Sequence, residues 1–242
     1  MPSEDPATPQ AGVARQRQVQ RLFSEIAPRY DLLNHVLSLN VDRAWRRRAV
    51  DLLRWEHARG GRYLDACAGT FDLALELCGR AGFAGRVVAA DFAQPMLREG
   101  SGKLRSTPVT PVCGDSLHLP FPADTFDGAT VGFGVRNLAD LPAGLSELRR
   151  VLRPGARLVV LEFTTPPNPL VRWSYLFYFH RILPVAGRVI SGHPWAYTYL
   201  PESVKEFPGP AELERLFREV GFGETGHRLL TFGIAALHWG VK

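Results

Sequence analysis

Three short stretches of this chain set acids and hydroxyls at the ends of apolar runs. The first is Leu64-Asp65-Ala66-Cys67-Ala68-Gly69-Thr70-Phe71-Asp72, with helix-forming Leu73-Ala74-Leu75 directly after it. The second ends Ala89-Ala90-Asp91, and the third ends Cys113-Gly114-Asp115-Ser116. In an open parallel sheet a ligand lies across the carboxyl ends of the strands, where small residues let the backbone approach it. Asp91 stands 21 residues past Thr70, the distance at which an acid accepts both hydroxyls of a ribose. Asp115 and Ser116 are suited to an adenine amino group. Acids at successive strand ends favour an adenosine ligand that carries positive charge; the plainer alternative is that each acid caps a helix or a turn. Of the dinucleotide pattern G-x-G-x-x-G only Gly69 is present, which disfavours a nicotinamide oxidoreductase.

These stretches need strands and helices in alternation. Tyr63–Cys67, Arg86–Ala90, Val109–Cys113, Asp127–Phe133 and Arg157–Phe163 read as buried strands, with helices over Leu73–Cys78, Met96–Leu104 and Leu141–Leu152. Leu229–Phe232 and Ile234–Val241, separated only by Gly233, read as an antiparallel strand pair at the edge. The expected fold is α/β: a doubly wound, mostly parallel seven-stranded sheet with a C-terminal edge hairpin. Residues 1–12, rich in proline and small residues, read as a flexible tail. Residues 13–242 read as a single domain that opens with N-terminal helices over 13–58. Val41–Leu53 is one such helix, and its Arg43–Arg48 run reads as a solvated face.

Composition narrows the class. With 45% hydrophobic and 22% charged residues the chain is an ordinary globular protein. Its three cysteines and seven histidines show no ligand spacing, so no metal is expected and a reducing cytoplasm fits best. No apolar run reaches the ~18 residues of a membrane span. The net charge of +5 permits an anionic partner without choosing one.

Taken together, Asp65–Asp72, Asp91, Asp115-Ser116 and Leu152-Arg153-Pro154-Gly155 resemble the motif series of the class I S-adenosylmethionine-dependent methyltransferases. Within that group the chain resembles the ubiquinone/menaquinone biosynthesis C-methyltransferase family over almost everything after the tail. The narrower pieces are Phe23–Asn34, Trp45-Arg46, Phe133-Gly134-Val135-Arg136-Asn137-Leu138, Leu161-Glu162-Phe163, Tyr197 with Tyr199–Ser203, and Gly233–His238. The resemblance implies S-adenosylmethionine as methyl donor, S-adenosylhomocysteine as product, and Thr70, Asp91, Asp115 and Ser116 as donor-binding residues. It also implies Gly69 as the point of close approach and Asp65 as the acid that orders the loop. Two departures stand out: Phe71 replaces a glycine and Gly132 a serine. A phenylalanine is costly at positive φ, so Phe71 is expected in a right-handed or extended conformation, or else at a cost to donor affinity.

The same resemblance implies a polyprenyl hydroquinone as acceptor, most simply demethylmenaquinol, with the ubiquinone pathway as the alternative. Methylating a ring carbon requires electron density that a hydroquinone gains on losing a hydroxyl proton. Arg136 is assigned to lower that phenolic pKa, by roughly 1 to 3 units, and Asn137 to orient the hydroxyl or a water. Otherwise Arg136 pairs with a carboxylate such as Asp140 and Asn137 serves a turn. Cys113 reads as a buried strand end, and Tyr197, Tyr199 and His238 are the reserve candidates for the proton. Between Glu162 and Glu202 there is no acid, and Trp173–Phe179 is almost wholly apolar. Residues 164–200 are therefore expected as a helical, aromatic insertion that covers the site and meets an isoprenoid tail or an anionic membrane surface. A homodimer contact or a plain core helix is the alternative use. Nucleic acid is not an expected partner, although an RNA-binding protein on a degenerate methyltransferase fold is the rival suggested by the basic pI near 9.4.

Overall fold

The computed structural model describes residues 12–31, 38, 40–178, 181 and 194–242, with the backbone alone at 13, 29 and 194–198. The proline-rich tail to residue 11, Asn34, Phe179, His180 and the side chain of Tyr197 lie outside the described residues.

Seven strands form one sheet: β1 (Arg62–Ala66), β2 (Arg86–Asp91), β3 (Val109–Cys113), β4 (Phe126–Gly132), β5 (Leu152–Phe163), β6 (Gly223–Leu230) and β7 (Ala235–Val241). Their order is β3-β2-β1-β4-β5-β7-β6, parallel from β3 to β5 and antiparallel where β7 joins β5 and β6. The chain winds outward from β1 in one direction and from β4 in the other, so the loops after these adjacent strands part and leave a crevice. Helices cover both faces. Tyr63, Val87, Ala89, Val159 and Leu161 are buried on one face, and Leu64, Ala66, Val131, Leu158 and Val160 on the other. Burial on both sides explains why these strands are continuous apolar runs.

The helices are α1 (Gly12–Ile26), α2 (Val41–Leu52), α3 (Asp72–Cys78), α4 (Gln94–Gly100), α5 (Leu141–Val151), α6 (Pro169–Phe177), α7 (Pro194–Glu206) and α8 (Pro210–Glu219). The edge hairpin differs from its expected bounds. β6 begins at Gly223, in a polar stretch with a bulge between Gly223 and Gly226, and Thr231–Gly233 is a 3-10 turn. Gly226 lets the bulge lie against Trp239, whose ring would stand 2.3 Å from an added Cβ. Arg46 also departs from expectation: it is buried, paired with Asp42 and, at 3.1 Å, with Asp72, while Arg43, Arg47 and Arg48 are exposed. Cys113 is exposed and not buried, because β3 is an edge strand.

Candidate active site

The three acids gather at the carboxyl ends of β1, β2 and β3. Asp65 is buried; its carboxylate accepts from Ala74 N at 3.0 Å and from Thr130 Oγ1 at 2.9 Å, which ties β1 to the first turn of α3. Burial pushes its pKa up to about 7. Asp91 accepts from Gly69 N and Ala93 N, both at 2.8 Å, so the β2 acid organises the β1 loop; burial again raises its pKa. Asp115 accepts from Leu117 N at 2.9 Å, and buried Ser116 lies 3.4 Å from the Cys67 sulfur. Burial holds the Cys67 thiol at about 12, too high for a nucleophilic thiolate.

Phe71 takes the conformation that its side chain disfavours. Its φ is 75° and ψ 19°, at the residue before α3, with its ring fully buried. A left-handed non-glycine residue costs roughly 1–2 kcal/mol, whereas burying a phenylalanine ring contributes about 1.5–3 kcal/mol. Burial therefore carries the turn. Gly100 at the end of α4 provides the slot: a Cβ there would stand 2.7 Å from Phe71 Cδ2 and 2.9 Å from Thr70 Cα. Gly132 is likewise fitted to its neighbour, since a Cβ would meet Leu73 Cδ1 at 2.7 Å.

A solvent-open crevice lies between these loops. Gly69, Asp91, Asp115 and Ser116 line one side, and Phe133, Gly134, Asn137 and Leu138, in the loop after β4, line the other. The two loops can meet because Gly134 has no side chain; a Cβ would fall 2.3 Å from Cys67 Cβ. A second, contiguous hollow contains Thr70, Asp65, Asp72 and Arg46.

Helix α1 lies over this opening. Gln16 Nε2 donates to Asp115 Oδ2 at 2.7 Å, Gln20 Nε2 to Phe92 O at 3.3 Å, and Arg15 to Arg136 O at 2.7 Å. Just beyond the helix, Asp31 accepts from Thr70 Oγ1 and is paired with Lys103, which also donates to Thr70 O at 3.2 Å. Phe23 and Tyr30 add aromatic walls.

Arg136 and Asn137 sit together after β4 but point differently. Asn137 faces the cleft. Arg136 is not among the residues lining it: its guanidinium donates at 2.6 Å both to Glu162 at the end of β5 and to Phe133 O. Despite the burial penalty, Glu162 raises the Arg136 pKa further and keeps it charged. The expected partner Asp140 instead caps α5, accepting from Ala143 N at 2.9 Å. Arg136 Nε is buried without a partner among the described residues.

His238 lies elsewhere. It faces α8 beside His227, ring centroids 6.0 Å apart, and His227 meets Glu214 at 2.6 Å. Gln16, Asp31, Lys103 and Glu162 were given no role from sequence. Two of them carry a signal: Asp31 lies in the Phe23–Asn34 stretch, and Glu162 is the single acid ending the apolar run Leu158–Leu161.

Known proteins are similar to this chain over most of its length. The chain is 46% identical over 228 residues to the ubiquinone/menaquinone biosynthesis C-methyltransferase UbiE of Geobacter sulfurreducens, covering 93% of this chain and 88% of that one. It is 51% identical over 223 residues to the demethylmenaquinone methyltransferase of Thermus thermophilus, covering 91% and 100%. Among solved structures, a SAM-dependent methyltransferase from Thermotoga maritima superposes with a TM-score of 0.65 at 18% identity, over 92% of this chain and 99% of that one. Phosphoethanolamine N-methyltransferase 2 of Haemonchus contortus, in complex with S-adenosyl-L-methionine, gives 0.55 at 13% identity, over 76% and 49%. These likenesses establish the class I methyltransferase fold. The model of the ubiE/COQ5 methyltransferase family matches residues 11–242, and with relatives near half identity over nine-tenths of its length the chain belongs to that family.

Proposed function

We propose that the protein transfers a methyl group from S-adenosylmethionine to a ring carbon of a polyprenyl hydroquinone, demethylmenaquinol in preference to a ubiquinone precursor, and releases S-adenosylhomocysteine. The observation that carries this reading is Asn137 in the cleft wall opposite Asp91, with Phe23, Phe92, Leu117 and Leu138 supplying apolar surface for a ring and its tail. The donor set fits the adenosyl group: Asp91 and Asp115 bear acceptor oxygens on the cleft, and Gly69 leaves room for close approach. When bound, the sulfonium supplies a methyl group already activated by positive charge.

The chain's own residues then have separable tasks. Asp91 accepts from the ribose hydroxyls, Asp115 with Ser116 meets the adenine edge, and Thr70, Gly69 and Asp65 shape the first loop. Asn137 orients the acceptor's hydroxyl. The Arg136 cation lies behind it, off the cleft wall, and acts through its charge on an oxygen that gains negative charge. A single domain carries these residues, closed by the N-terminal helices and by the described ends of the insertion, 164–178 and 199–200; residues 179–180 and 182–193 of it lie outside the described residues.

The insertion also supports contact with an anionic membrane surface. Trp173 and Phe177 stack with centroids 5.9 Å apart and are 67% and 51% exposed, next to Leu170. No helix among the described residues is long and apolar enough to cross a membrane. A second copy of the chain is the competing occupant of this face.

Purified protein given S-adenosylmethionine and either demethylmenaquinol or a demethylated ubiquinol precursor, with products identified by mass spectrometry, tests the reading. Expected is a menaquinol one methyl group heavier. Methylation of the ubiquinol precursor alone would transfer the protein to that pathway, and salt-dependent RNA binding without methyl transfer would overturn the enzyme reading. Sedimentation with anionic vesicles, beside light scattering of the protein alone, separates membrane from dimer.

A further inference from the structure

We propose that Tyr199 is a positioning residue for methyl transfer, its hydroxyl fixing the Asn137 amide that faces the cleft; this rests on the role given to Asn137 above. Tyr199 belongs to α7, in the insertion's closing part, and stands 62 residues from Asn137 in sequence. Its hydroxyl donates to Asn137 Oδ1 at 3.2 Å, with both residues buried. On the other side Asn137 Nδ2 faces Phe133 O at 3.5 Å.

The two contacts suit one orientation of the amide. Turned over, Oδ1 and Phe133 O would be two acceptors set against each other. The Tyr199 phenol remains a donor at neutral pH, because burial raises its pKa against the opposing pull of Arg15 and Arg136. With Oδ1 held, the second N–H of Asn137 is directed by a residue from another part of the chain. Phe133 itself is a strained support, with φ 57° and its carbonyl also accepting from Arg136. The Asn137 side chain therefore lies between the loop after β4 and helix α7, and the Tyr199 hydroxyl links the insertion to the cleft wall. The Tyr199 ring has a separate task, packing against Val19, Leu22 and Tyr175.

Because ring and hydroxyl act separately, Tyr199→Phe removes only the contact to Asn137. Expected are a fall in kcat of about tenfold, the size of one lost hydrogen bond, with the quinol KM, the affinity for S-adenosylhomocysteine and the melting temperature unchanged. In asparagine-labelled protein the side-chain amide resonance that disappears in Asn137→Ala should shift in Tyr199→Phe and stay in place in Tyr175→Phe. Tyr199→Phe should add nothing to the rate loss of Asn137→Ala. An unmoved amide resonance, a raised KM at full kcat, an additive double variant or an unfolded Tyr199→Phe protein would each overturn the proposal. Should wild-type protein fail to methylate a quinol, the functional reading falls while the resonance still reports the contact.

Discussion

The Arg136 guanidinium meets the Glu162 carboxylate at 2.6 Å, with only 8% and 1% of the two side chains exposed. The pair spans the ends of adjacent strands β4 and β5 and fixes the turn whose carbonyl, at Phe133, Arg136 also caps. Two ions so deeply buried are worth little beyond an apolar pair of the same shape, but either one alone is strongly unfavourable.

Removing one partner exposes that asymmetry. Glu162→Gln should lower unfolding free energy by about 3 kcal/mol, read from urea denaturation. Arg136→Met should do the same and lower kcat more than Arg136→Lys, which retains a charge without the planar fork. A folded Arg136→Met protein with the wild-type rate would leave Arg136 a structural residue only.

Asp91 gives a cleaner test of donor binding. Asp91→Ala removes charge-assisted acceptors worth roughly 1.5–3 kcal/mol per hydrogen bond. Titration calorimetry should then find S-adenosylmethionine bound at least about tenfold more weakly. Unchanged affinity would remove Asp91 from the donor site.

Phe71 and Gly100 should behave as a coupled pair. Phe71→Gly relieves about 1–2 kcal/mol of backbone strain but leaves the space of a ring whose loss costs about 3–5 kcal/mol, so a net destabilisation near 2 kcal/mol is expected. Gly100→Ala presses a methyl group against the ring and should also destabilise. Together the two changes should cost less than their sum; strict additivity in denaturant melts would refute the slot.

His238 predicts a pH dependence of defined sign. Burial holds its pKa at about 3, below the ordinary 6.5. It is neutral in the fold, while the unfolded chain takes up a proton below pH 6.5. Its contribution is complete above pH 6.5 and is lost as pH falls toward 3, at up to about 1.4 kcal/mol per pH unit. Asp65, raised from 3.8 to about 7, has the opposite sign and loses stability as pH rises through that range. Stability of His238→Gln between pH 4 and pH 6 should therefore fall less steeply toward acid than wild type, and parallel curves would exclude His238 as the titrating group.

The central strands were legible because burial on both faces leaves a direct mark: Arg86–Asp91 and Arg157–Phe163 are apolar runs. Asp91 and Asp115 were legible because the ends of such runs are where parallel sheets bind ligands. Helix α8 was less so; its buried side chains, Leu213 and Phe217, are few among Glu212, Glu214, Arg215, Arg218 and Glu219. The Phe71 conformation depends on Gly100, and the partner of Arg136 on the register of β4 with β5, both settled by tertiary packing. Arg46 looked solvated because its neighbours in the run are; the carboxylates of Asp42 and Asp72 are what hold it inside.

The contacts of α1 bear on what a measured affinity means. In the free protein Asp115 already accepts from Gln16, and the Thr70 hydroxyl is already given to Asp31. A ligand donor that displaces Gln16 from Asp115 Oδ2 exchanges one partner for another, and the free energy of that contact is net of the one the protein surrenders. Selectivity then lies in the difference between the ligand's fit and the chain's own. In a variant such as Gln16→Ala, Asp115 would meet its ligand without that internal partner to displace.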